Sequence, residues 1–273
     1  MKHEFELVGG SVIGREHLRV GKNNQDSYDW KVSEAGTIAV VCDGCGSGIH
    51  SEVGAKLGAQ MIVETLHRSL KDGLCLEHEE FWQTIQQKLL NQLQQVADLL
   101  GGGRSQTVRD YLLFTIAGVV ITPAITSVFT LGDGVIAVND QVIRLGPFAN
   151  NAPPYLAYGL LEGNVSEFLP LKALQVLPTN QVQSLLLGSD GVSDLMEVAE
   201  HALPGRSDVV GDIAQFWQDE RYFRNPDQVR RRLALINREV TTLNPQSQQC
   251  LRQPGLLPDD TTLIVIRRKE ALC

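Results

Sequence analysis

The chain switches between two hydrophobic periods. Residues 4–13 (EFELVGGSVI), 27–33 and 36–42 (GTIAVVC) are short apolar runs of strand length, bounded by turn formers. The segment REHLRVGKNNQD between the first two reads as a polar loop. From Ser51 the period lengthens. Val53, Leu57, Met61, Ile62, Thr65 and Leu66 share one face, predicting a helix over 51–70. A second amphipathic helix is predicted over 77–100, stopped by Gly101, Gly102 and Gly103. The period then shortens. Residues 111–121, 125–132, 134–139 and 141–145 read as consecutive strands, broken at Thr122-Pro123, Gly132-Asp133-Gly134 and Asn139-Asp140. Breaks this tight imply antiparallel pairing. Residues 146–180 lack periodicity and read as an irregular, flap-like insert. A further strand is expected at 182–188, helices near 209–219 and 226–239, and a polar loop over 243–258. The last strand, TTLIVIRR, starts behind Asp259-Asp260.

Meandering strands with flanking helices favour an α+β fold over a doubly wound parallel sheet. The expected core is a central sandwich of two antiparallel β-sheets with α-helices on both sides (αββα). The long helices 51–70 and 77–100 cover the sheets, and their Leu and Met stripes belong to the core. No repeat or long linker is visible, so residues 1–273 are expected to form one domain. Apolar residues at 43% and charged residues at 21% are ordinary globular usage, and 6% aromatics imply an aliphatic core. The net charge of −8 argues against nucleic-acid or anionic-membrane partners. No run approaches the ~18 apolar residues of a membrane span. The start MKHEFELVGG has no apolar signal region, and five scattered cysteines read as reduced thiols, so a cytoplasmic location is expected.

The informative feature is where the acids fall. Asp43-Gly44, Asp133-Gly134, Asp190-Gly191 and Asp259-Asp260 each sit at the edge of an apolar strand, and Asp26 precedes another. One Asp-Gly is a turn signal. Several at strand ends converge at one rim, where uncompensated carboxylates repel and a cation should bind. All-oxygen ligation suits Mg²⁺ or Mn²⁺, whereas His and Cys are too scattered for zinc.

The order Asn24-Gln25-Asp26, Asp43-Gly44-Cys45-Gly46, Gly132-Asp133-Gly134, Ser189-Asp190-Gly191, Asp259-Asp260-Thr261-Thr262 resembles the metal-dependent protein phosphatases of type 2C, particularly their compact bacterial members. The resemblance runs from about residue 7 to 267. It implies the same sandwich and a centre of two Mn²⁺ or Mg²⁺ ions. Asp43 would bridge the ions, Gly44 would offer its carbonyl, Asp190 and Asp259 would ligate the second ion, and Asp26 would act through water. Gln25 takes the adjacent family position. Asp260 is a weaker ligand candidate than Asp259, Asp133 matches a mostly structural turn, and Asp110 lies near the family's third-metal acid. The implied reaction is in-line attack of a metal-bridging water on phosphoserine or phosphothreonine, without a phosphoenzyme. The implied partner is a phosphoprotein opposed by a Ser/Thr kinase, and a monomer is expected.

Two positions depart from the family. Gly21 stands where many members carry an Arg that grips the substrate phosphate; Lys22, Arg19 or His17 are candidates to replace it, with Lys22 the nearest. Cys45 stands where some members carry a His; the nearby His50 reads as a polar helix-start residue. Cys42 and Cys45 form a C-x-x-C but lack a second pair, and read as packing residues. The G-x-G-x-G at 44–48 and the G-x-x-x-x-G at 9–14 fail as nucleotide motifs. A non-catalytic binding module on this fold, or a phosphatase of small phosphoesters, are the rival readings. The presence of Asp43, Asp190 and Asp259 together favours catalysis. The tail 267–273 is expected to be solvated.

Overall fold

Strands that are apolar through nearly their whole length must be covered on both faces. Strand β3 (Thr37–Asp43) is such a strand, with all but its last residue buried, and β4 (Ile116–Ile121) is buried throughout. In the computed structural model, which describes residues 4–72, 75–149, 152–161, 169–243 and 250–269, these two strands occupy the middle of a sheet. Beside β3 lies β2 (Asp26–Val32); beside β4 lie β5 (Ile125–Leu131) and then β8 (Lys172–Pro178), giving the order β2-β3-β4-β5-β8. The second sheet combines β1 (Phe5–Val12), β12 (Thr261–Arg268), β9 (Ser184–Gly188), β6 (Gly134–Val138) and β7 (Gln141–Leu145), in that order. All pairings are antiparallel.

Side chains alternate across a strand. Ala39 and Val41 of β3 therefore face the other sheet, where they pack with Ile136, Leu187 and Ile264 between the layers. Ile38, Val40 and Cys42 face outward, under α2 (Ser51–Lys71) and α3 (Glu79–Leu100). On the opposite flank Val135, Leu186 and Val265 lie under α5 (Gly191–Glu197), α6 (Gln215–Gln218), α7 (Arg221–Arg224) and α8 (Gln228–Ile236). Helix α3 buries Phe81, Ile85, Leu89, Leu93 and Ala97 at helical spacing and ends at Gly101, whose φ is 75°. The expected αββα sandwich is thus the observed architecture.

Several local expectations change. The polar loop after β1 contains a short helix, α1 (Arg15–Val20); none of its residues is buried, so it carries no hydrophobic period. The apolar run at 111–121 is not one strand. Helix α4 (Arg104–Tyr111) ends there, Leu112, Leu113 and Phe114 are buried outside any strand, and β4 starts at Ile116. The helix expected near 209–219 shrinks to α6, and α5 was not anticipated. The insert includes β8, which pairs with β5; residues 150–151 and 162–168 of it lie outside the described residues. The loop expected over 243–258 includes part of a hairpin, β10 (Val240–Leu243) with β11 (Cys250–Gln253). The last four residues of the tail also lie outside the described set.

Helix α2 approaches the α4–β4 connection through two glycines one turn apart. A Cβ at Gly54 would lie 1.8 Å from the Tyr111 carbonyl oxygen, and one at Gly58 would lie 2.3 Å from the Phe114 ring. Alanine improves helix propensity by ~1 kcal/mol, but overpacking against backbone costs about 1–3 kcal/mol. Gly54→Ala should therefore lower unfolding stability in a denaturant titration. A gain in stability would contradict the close approach.

Candidate metal centre

The acids meet because apolar strands run out at the same rim. Strand β3 ends at Asp43, and its neighbour β2 begins at Asp26, directly opposite in register. In the other sheet β9 leads into Ser189-Asp190, and β12 begins just after Asp259-Asp260. The Ser189 N–H donates to the Thr262 carbonyl at 3.0 Å, holding these two ends side by side.

Two relays tie the sheets together at this rim. The Ser189 hydroxyl accepts from the Thr262 N–H at 3.1 Å and donates to Asp26 Oδ2 at 2.7 Å. Asp260, only 2% exposed, accepts the Gly14 N–H at 2.6 Å through Oδ1 and the Gln25 N–H at 2.5 Å through Oδ2. Such charge-assisted bonds are short and strong. Asp260 is therefore a clasp between β12 and the chain entering β2, with both oxygens engaged. His17 Nδ1 lies 2.9 Å from Asp260 Oδ2 and 3.9 Å from Asp259 Oδ1. The donor atoms of these three side chains lie within 4.8 Å of one another, close enough to share a cation.

Above the rim is a cavity of about 720 Å³. Asp43, Asp133, Asp190 and Asp259 line it, with Asp110 and Arg109 from α4 and Tyr155 and Tyr158 from the insert. Asp26 is not among the lining residues. Burial pushes the Asp26 carboxyl up to about 8, helped by Asp260 and Asp190 and opposed by the Ser189 hydrogen bond. Burial raises Asp43 well above the usual carboxylate range, and Asp26, Asp190, Asp259 and Asp133 add repulsion. Asp190 is pushed up to about 7 by burial, then by Asp259 and Asp133. Burial and Asp259 also raise Asp133.

This donor set fits a hard divalent ion. It is all oxygen, and buried carboxylates gathered this closely repel one another unless a cation sits among them. Asp26 Oδ1 and Gln25 Oε1 are buried with no hydrogen-bond donor among the described residues. Gly44 has a second reason to be glycine. Its Cβ would lie 2.8 Å from the Ser51 carbonyl oxygen and 2.9 Å from that of Gln25, so backbone packing alone excludes a side chain.

The structure brings Asp43, Gly44, Asp190, Asp259 and Asp110 to one cavity, with Asp26 paired to Asp43 in register. Asp133, expected to be a structural turn residue, also lines it. Asp110 lies on α4 rather than ahead of a strand, and its Oδ2 accepts from Gln106 Nε2 at 2.7 Å. Lys22 is not among the lining residues; its Nζ donates to the Gly46 carbonyl at 2.6 Å. His50 precedes α2 and packs on Tyr111 at 5.0 Å between ring centroids. Cys42 is fully buried, and Cys45 packs against the same core while also lining the cavity. Burial raises the Cys45 thiol, yet hydrogen bonds with Ser47 and Tyr155 carry it below its usual value. Sequence reasoning missed Ser189 as the Asp26 partner, and missed Arg109, Tyr155 and Tyr158. Ser189 had a signal, its place beside Asp190; the others sit on elements that hydrophobic patterning did not resolve.

Residues 13–234 match the family model described as protein phosphatase 2C. A search of curated protein sequences finds no match. Among solved structures, PppA, a regulatory component of T6SS in Pseudomonas aeruginosa, is 19% identical, with 97% of this chain and 98% of that chain covered and a TM-score of 0.56. The serine/threonine phosphatase Stp1 from Staphylococcus aureus is 14% identical, with 99% and 98% covered and a TM-score of 0.56. A bacterial serine phosphatase is 14% identical, with 99% and 100% covered and a TM-score of 0.56. At these identities the likeness is one of fold.

A carboxyl whose folded pKa is raised binds more protons in the native state, so its contribution to stability is lost as pH rises through the folded value. For Asp26 and Asp190 that loss runs from the unfolded value of 3.8 up to the folded values of about 8 and about 7. In EDTA the melting temperature should fall across this window. Mn²⁺ should raise it, and more at pH 8 than at pH 5.5. A melting temperature that climbs with pH in EDTA and ignores Mn²⁺ would contradict the ion-binding assignment.

Proposed function

The chain belongs to the protein phosphatase 2C family, and from that premise we propose that it is a metal-dependent phosphoprotein phosphatase acting on phosphoserine and phosphothreonine. The observation that carries the reading is the convergence of Asp43, Asp190 and Asp259 on one cavity with Asp26 buried beside them. Bound by these residues, two Mn²⁺ or Mg²⁺ ions would supply an acidified water and neutralise phosphoryl oxygens. Asp43, Asp190 and Asp259 would hold the ions, Gly44 would offer its carbonyl, and Asp110 would serve a third. Asp26 would act through water beside Asp43, its partner in register, and the Ser189 hydroxyl orients its carboxylate through the 2.7 Å bond. Asp260 and the relays keep the rim from spreading under its own repulsion. Tyr155, buried beside Cys45, walls the cavity on the insert side.

The proposed substrate is a phosphorylated side chain on a protein, placing the chain opposite a Ser/Thr kinase. A binding module without turnover is disfavoured, because no member of the acidic set is missing. Hydrolysis of p-nitrophenyl phosphate and of a phosphothreonine peptide should require Mn²⁺ or Mg²⁺ and stop in EDTA. Asp43→Asn and Asp190→Asn should each lower kcat about 100-fold or more. Turnover that persists in EDTA, or that survives both substitutions, would overturn the reading.

A further inference from the structure

The cavity needs a cation that the sequence does not offer at the expected place. Five carboxylates line it: Asp43, Asp110, Asp133, Asp190 and Asp259. Two divalent ions would leave those five carboxylates one charge negative, and a phosphoester dianion must still enter. Gly21 has a φ of 70° and offers no side chain, and Lys22 is bound to the Gly46 carbonyl. His17 lies against Asp260 at 2.9 Å. Among the lining residues, Arg109 is the one Lys or Arg.

Arg109 is also placed to act. It is exposed, and its guanidinium makes no hydrogen bond or ion pair with any described residue. The backbone beneath it is fixed to the loop that carries Gly44–Gly48. The Asp110 carbonyl accepts the His50 N–H at 2.9 Å, and the Leu113 carbonyl accepts the Cys45 N–H at 2.9 Å. A Cβ at Gly48 would lie 3.2 Å from the Arg109 carbonyl oxygen, so the two segments are in close contact. A free guanidinium thus stands at a helix end that is hydrogen-bonded to the neighbouring loop, beside the acidic basin. A planar fork of N–H donors matches phosphoryl oxygens two at a time.

Resting on the phosphatase reading, we propose that Arg109 grips the phosphoryl group of the substrate, supplying from α4 the fork that position 21 lacks. The test uses the full chain loaded with Mn²⁺. Calorimetry would follow inorganic phosphate binding, and steady-state assays would follow p-nitrophenyl phosphate. Arg109→Ala should weaken phosphate binding and raise KM about tenfold, with kcat changed less and Mn²⁺ affinity within about twofold; Arg109→Lys should recover part of the loss. Phosphate affinity and KM within twofold of the unaltered chain would overturn the proposal. So would an equal loss of Mn²⁺ affinity, or a larger loss of phosphate binding in Lys22→Ala. If the unaltered chain binds phosphate without turnover, the phosphatase reading fails while calorimetry still tests Arg109. If it neither binds phosphate nor turns over, both fall.

Discussion

Mutual repulsion among carboxylates is the force this fold must contain. Asp26, Asp43, Asp190 and Asp259 are delivered to one rim by two different sheets, and the first three are held well above the ordinary carboxylate range. Left to themselves they would part the sheets at that edge. What opposes them is a small set of polar clasps: Ser189 between β12 and Asp26, and Asp260 between the Gly14 and Gln25 N–H groups. A divalent ion would convert the same repulsion into attraction, so the proposed cofactor is also a fastener for the sandwich.

The rest of the molecule makes that rim possible. Strands buried along nearly their whole length, such as β3 and β9, must be covered on both sides, and the two helical layers do so. Polar side chains are then admitted chiefly at strand ends, which in a sandwich lie along shared edges. The acids collect at one edge, and α4 and the insert wall it into a cavity. Fold and candidate site share one cause: the apolar segments end where the charges begin.

That cause made much of the protein legible from its sequence. The strands, the long helices α2 and α3, and the strand-end acids follow from hydrophobic period and from Asp-Gly placement. What stayed hidden has weak or misleading periodicity. Helix α1 buries nothing. Helix α4 leads into the buried run Leu112–Phe114, which looks like the start of a strand. Asp133 looks like a turn residue, and only the fold shows that its turn faces the other acids. Asp260 looks like a second ligand beside Asp259, yet long-range bonds to Gly14 and Gln25 engage both of its oxygens. Arg109 lies on the helix that patterning missed, so its approach to the basin could not be foreseen. In each case tertiary contact decides the role, and local sequence does not carry it.

The central claim is that the acidic rim is a divalent-ion centre. Anomalous diffraction from crystals grown with Mn²⁺ near pH 8 tests it most directly. The account predicts strong anomalous peaks bounded by Asp43, Asp190 and Asp259, with Asp26 behind them and Asp260 still engaged by Gly14 and Gln25. Crystals showing no peak there, with the carboxyl groups hydrogen-bonded to one another instead, would contradict it.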